Sequence, residues 1–135
     1  DRSEATARLG TLAEAGVTFA LHSDFNLVVG PMAPLVAAWI AVNRIALDEA
    51  TVMAPGERIS VERALRAVTI DAAYVLNRDH EIGSLEVGKL ADLAVLGGDP
   101  FAVDPMALRD IPVKGTVIAG RPHMIPRVIP HTING

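Results

Sequence analysis

His22-Ser23-Asp24 is the segment of this sequence whose residue types and spacing are best suited to chemistry. An imidazole and a carboxylate two positions apart project to the same side of an extended chain. They end the apolar run 17–22. In parallel α/β folds ligands collect at the carboxyl ends of strands, where such groups relay protons or hold metals. The same residue types also read as an ordinary turn, because Ser and Asp after a strand commonly cap the next helix. A Ser-His-Asp triad within the tripeptide is excluded, since neighbours on one strand cannot turn their side chains toward one another. His80, His123 and His131 each stand alone in polar or proline-rich sequence, with no H-x-H or H-x-x-x-H pair, and are expected at the surface. The chain has no cysteine, which removes disulfides, thiolate metal sites and a cysteine nucleophile together. Gly97-Gly98 precedes Asp99-Pro100 rather than a helix, a poor cradle for phosphate.

The elements that would position the tripeptide lie on both sides of it. Ser3 is the expected cap of a helix with Leu9, Leu12 and Ala13 on one face and Gly16 as its closing glycine. Val17 to His22 is apolar on both parities and reads as a strand buried on two faces. Helix, glycine, buried strand is the αβ half of a repeating β/α unit. Beyond the Ser23-Asp24 turn, Pro31 and Pro34 suit a first helical turn, and Met32, Leu35, Val36, Trp39, Ile40 and Asn43 recur at helical spacing. Asn43, on that apolar stripe, is expected to be a satisfied core amide. Ala54-Pro55-Gly56 leads to Ser60, which caps a third helix striped by Val61, Ala64, Leu65, Val68, Ala72, Val75 and Leu76, with Thr69 and Asp71 in surface or packing roles. From Gly83 onward glycines and prolines multiply, and the apolar runs shrink to strand length at Leu93–Leu96 and Val113–Ala119, with a helical turn opened by Asp104-Pro105. A boundary near Asp79 to Gly83 divides the expected units 1–80 and 81–135.

Composition narrows the classes. Hydrophobic residues make up 50% of the 135 and aromatics only 4%, so the interior is built from Ala, Val, Leu and Ile. A complete (β/α)8 barrel, at roughly 250 residues, does not fit. With 12 Lys and Arg against 16 Asp and Glu, net charge -4 and no basic cluster, nucleic acid is not an expected partner. The longest nearly uncharged stretch, Asn26 to Asn43, carries Pro31 and Pro34. It is not the unbroken apolar span of about 20 residues that crosses a membrane. No signal-peptide pattern opens the chain, and the compartment is left open. The sequence begins at Asp1 with a helix already under way, which raises the expectation of a piece of something longer.

In order, "GVTFALHSD", "AVNR", "ERISVERALRAVTIDAAYVL", "IGSLEVGKLADLAVLGGDP" and "VKGTVIAGRP" resemble the C-terminal end of amidohydrolase-superfamily metal-dependent hydrolases. The likeness is to the subgroup of N-substituted formamide deformylases and D-aminoacylase-type enzymes. It implies an α/β fold: the end of a (β/α)8 TIM-type barrel over residues 1–80, with His22-Ser23-Asp24 ending its eighth strand, and a small β-sandwich subdomain over 81–135. In that subdomain Gly83 and Gly88 would supply turns, Lys89 and Asp92 would sit at strand edges, and Leu93, Val95 and Leu96 would feed the interior. It further implies hydrolysis of non-peptide C–N bonds in a small amide-type substrate by metal-activated water. Asp24 would be the proton shuttle, and either a metal ligand or a neighbour of the metal-bound water, while His22 lines the substrate pocket or only shapes the strand end. The implied cofactor is a divalent metal, zinc, in the intact enzyme.

The family's H-x-H, bridging lysine or acidic residue and middle-strand histidines are absent from this sequence. Asp24 and His22 are too few for a zinc site of three protein ligands and a water. The isolated chain is therefore expected to bind no catalytic metal and to be inactive. It is also expected to self-associate where its barrel neighbours are missing. The alternative is a non-catalytic truncated homologue serving as a structural or oligomerisation module.

Overall fold

The computed structural model describes residues 7–22 and 33–124, and within these the first helix, α1 (Leu9–Glu14), ends where its glycine dictates. Gly16 takes φ +71. Its N–H donates to Ala13 O at 3.0 Å and the Val17 N–H to Leu12 O at 2.9 Å, the paired bonds of a Schellman cap. The expected cap, Ser3, lies outside the described residues. Gly10 marks the closest approach of α1 to the 3-10 turn Pro55–Glu57, since a Cβ there would stand 3.0 Å from Glu57 Cα. Glu57 accepts from Thr11 N at 2.7 Å and from Thr11 Oγ1 at 2.6 Å. These bonds, helped by Arg8, hold its carboxyl below the usual value. A depressed folded pKa stabilises the fold above the unfolded value, and the contribution is lost as pH falls through the folded one. Glu57→Gln is therefore expected to shallow the acid limb of a plot of unfolding midpoint against pH. An acid limb identical to that of the parent chain would refute this.

Val17 to His22 departs from the strand expectation. Among the described residues no strand lies beside it, and the Leu21 N–H instead donates to Ala67 O at 3.0 Å. Phe19 and Leu21 pack partly buried against the core, whereas Val17 is 43% exposed. The run is apolar enough for a strand covered on both faces, but a strand also needs ladder partners.

Helix α2 (Pro34–Asn43) begins at its proline and closes on Arg44 in the left-handed region. Met32 and Pro31 lie outside the described residues. Trp39 is fully buried, and its indole Nε1 donates to Met106 O at 2.8 Å. Met106 belongs to the 3-10 helix Pro105–Asp110, opened as expected by Asp104, whose carboxylate accepts from Met106 N. Asn43 is the satisfied core amide expected of it: Nδ2 donates to Trp39 O and to Pro105 O, both at 3.0 Å. Leu108 and Ile111 join Trp39, Ala38, Ile59 and Ala64 in the core.

Ser60 caps α3 (Val61–Ala67) by accepting from Arg63 N at 3.1 Å. Ser60→Ala is expected to cost about 1 kcal/mol, read as a shift in denaturant midpoint; an unmoved midpoint would deny the cap. The single third helix of the sequence reading is in fact two. A second, α4 (Ile70–Val75), follows a break at Val68-Thr69. There the Thr69 hydroxyl turns back to Leu65 O at 2.7 Å, and the Val68 and Thr69 N–H groups bond three residues back, at 3.3 and 3.0 Å. A threonine that offers the backbone a local partner competes with helix continuation. The apolar stripe consequently fails past the break, where Val75 is 56% and Leu76 68% exposed.

The remaining elements are β1 (Leu93–Leu96), β2 (Val113–Ile118) and β3 (Arg121–Met124). They form one antiparallel sheet in that order, with Leu93 opposite Val117 and Ile118 opposite Arg121. Ala119, expected within a strand, is instead in the hairpin turn with Gly120, at φ 47 and 76, the left-handed pair a two-residue loop requires. Asp92 Oδ1 accepts from Ala119 N at 2.6 Å. Gly83, at φ +91, allows an approach no side chain could share, since a Cβ would stand 2.7 Å from Ala73 Cβ. Leu96 reaches the core, but Val95, expected inside, is 46% exposed. The fold is thus mixed α/β.

Candidate functional site

His22 is exposed at the end of its segment. Ser23 and Asp24 lie outside the described residues. What the structure does show is how the approach to them is held. Arg63 on α3 donates from Nη2 to Val17 O at 3.0 Å, and its guanidinium carbon lies 4.0 Å from the Phe19 ring centroid, a cation–π distance. The backbone bond from Leu21 N to Ala67 O completes the attachment. One side of the 17–22 segment is therefore fastened to α3 along most of its length.

Arg63 is itself held. Its Nη1 pairs with Asp71 Oδ2, and Arg66 Nη2 meets Asp71 Oδ1 at 3.2 Å. Asp71 is 6% exposed. A carboxylate that deep persists only when paired and hydrogen-bonded. Of the two roles the sequence left open for Asp71, the structure shows packing, in the form of an ion pair. Its partners were not legible, because positions 63 and 71 would stand about 12 Å apart along a continuous helix. The break at Val68-Thr69 brings them together.

Three further arginines brace segments packed around the core. Arg44, 3% exposed, donates from Nε to Met53 O at 3.0 Å. Burial pushes its guanidinium below the usual value, with Glu57 opposing the shift; a guanidinium nevertheless stays charged. Arg58 Nε donates to Asn43 O at 3.0 Å, and Arg109, paired with Glu49, lies 4.1 Å from the Trp39 ring centroid.

The other histidines are placed as expected where they are described. His80 is exposed, with Nε2 3.4 Å from Glu81 Oε1, and His123 is exposed on β3; His131 lies outside the described residues. Among the described residues no group of three or more His, Cys, Asp or Glu could hold a metal ion. They do not by themselves fit a catalytic metal, and adding Asp24 to His22 would still leave fewer than three protein ligands. No helix among the described residues is long and apolar enough to cross a membrane.

Comparison with known proteins gives this arrangement a context. The profile of the amidohydrolase family matches residues 1–123. The chain is 36% identical over 110 residues to the N-substituted formamide deformylase of Arthrobacter pascens, covering 82% of this chain and 20% of that protein. It is 43% identical over 82 residues to the imidazolonepropionase of Geobacillus sp. (strain WCH70), covering 61% of this chain and 17% of that protein. Among solved structures, an amidohydrolase from Thermotoga maritima MSB8 superposes with a TM-score of 0.59 at 27% identity, over 84% of this chain and 24% of that one. The chain thus spans about a fifth of the length of the curated relatives it matches.

Proposed function

We propose, from the premise that the chain belongs to the amidohydrolase family, that it is the closing part of a hydrolase that cleaves a C–N bond in a small amide-type substrate. In this reading residues 1–80 supply the end of a (β/α)8 barrel, with 17–22 as its last strand. Residues 81–135 form the β-sandwich subdomain beside it. Asp24 takes a proton from the attacking water and returns it to the leaving nitrogen, the two halves of general acid–base catalysis. His22 borders the substrate.

The observation that carries this reading is the likeness over 82% of the chain to a protein named as a deformylase of N-substituted formamides. Apolar side chains left in solvent suit a place within a larger body: Leu76, Leu85 and Val87 are 68%, 75% and 109% exposed, surface that neighbouring elements would cover. A divalent metal, zinc, would acidify the attacking water when bound. Since the described residues do not assemble a ligand set, in this reading the ligands other than Asp24 come from outside them.

The test is release of formate or amine from a panel of N-substituted formamides and related amides. Turnover is expected from the whole protein and none from the 135-residue chain alone. A whole protein inert toward every amide offered, or an active isolated chain, would overturn the proposal.

A further inference from the structure

We infer that Arg63, locked by Asp71, is a positioning residue that sets the course of the 17–22 segment and so the placement of His22 at its end; the inference rests on the functional reading above only for its effect on turnover. One guanidinium makes separate contacts in different directions: Nη2 to Val17 O at 3.0 Å, the cation face to the Phe19 ring at 4.0 Å, and Nη1 to the Asp71 carboxylate. The first two grip the segment and the third anchors the grip in the elbow between α3 and α4. Asp71 is buried and also held by Arg66, so the Arg63 fork is preset in orientation. Among the described residues no strand pairs with 17–22; this clamp and the Leu21–Ala67 bond tie the segment to α3, a restraint separate from any ladder it makes in the whole protein. The planar, two-armed guanidinium suits the task, whereas an ammonium is a single point that satisfies one arm at a time.

The experiment compares the whole protein with its Arg63→Met/Asp71→Asn double variant, which removes the buried carboxylate along with its buried partner and leaves Arg66, half exposed, to be solvated by water. Arg63→Lys is the conservative control. Hydrogen exchange of the peptide carrying the Leu21 amide is expected to quicken about ten- to a hundredfold, the range for loss of a charge-assisted bond. The peptide carrying β2 should keep its rate. In the same variant kcat should fall with KM little changed, and Arg63→Lys should lie between. Exchange that does not change at Leu21, or that rises equally in β2, would overturn the clamp. Local loosening with undiminished kcat would overturn its role in the reaction. Should the parent protein hydrolyse no amide, the functional reading fails, and the exchange arm still decides the clamp.

Discussion

Trp39→Ala is expected to lower the stability of the fold by about 3–5 kcal/mol, the range for truncating a large buried aromatic. Trp39 is fully buried and ties α2 to the 3-10 helix in two ways. Its indole N–H donates to Met106 O at 2.8 Å, and its ring lies beneath the Arg109 guanidinium at 4.1 Å. Alanine would leave a cavity, an unpaired carbonyl and a cation without its aromatic partner. A domain stable by about 5–15 kcal/mol, the usual span, would lose about a fifth or more of that margin. Trp39→Phe separates the contributions, since it keeps a ring but not the donor; about 1–3 kcal/mol is expected for the carbonyl left unsatisfied. Denaturant unfolding followed by far-UV circular dichroism measures both variants. An alanine variant as stable as the phenylalanine one would show that ring packing contributes little.

The second large effect concerns turnover. Asp24→Asn in the whole enzyme is expected to reduce kcat by about 10²–10⁴-fold, the range for losing a positioned acid–base group. The amide matches the carboxylate in shape but cannot take a proton at neutral pH. Because Asp24 is proposed as both ligand and shuttle, metal content and rate must be measured together. A shuttle predicts a rate that stays low when added zinc restores occupancy. Full recovery on metal addition would reduce Asp24 to a ligand, and turnover near the parent level would discard both roles.

Local signals in the sequence foretold local structure well. Gly16 closed α1, Pro34 opened α2, Ser60 capped α3, and the apolar runs became β1 and β2. Asn43 could be recognised as a paired amide because its stripe was unambiguous. The failures share a physical cause, in that each turned on a bonding partner that the pattern of apolar residues does not name. β3 escaped notice because Arg121-Pro122-His123 has no apolar alternation, and only its pairing with β2 makes it a strand. Val17 to His22 differed in the opposite sense, with a strand's composition but no ladder among the described residues. The α3–α4 break turned on one threonine hydroxyl choosing Leu65 O, a choice periodicity does not register. At the candidate site, His22 and Asp24 were singled out by type and position, and the structure places His22 exposed at the segment's end. Arg63 was invisible because its meaning lies in Val17, Phe19 and Asp71 at once.

The bond between Trp39 and Met106 joins residues 67 positions apart, and that separation bears on how the chain is made. At about 5–20 residues per second, synthesis leaves the indole without its cover for several seconds after α2 emerges. During that interval a large apolar side chain is open to chaperones or to other unfolded chains. Closing so long a loop is also slow to be rewarded, because its entropy is spent before the contact forms. Since the sequence holds a single tryptophan, its fluorescence reports that closure without labelling, and a late blue shift in refolding would time the moment at which the two ends of the core meet.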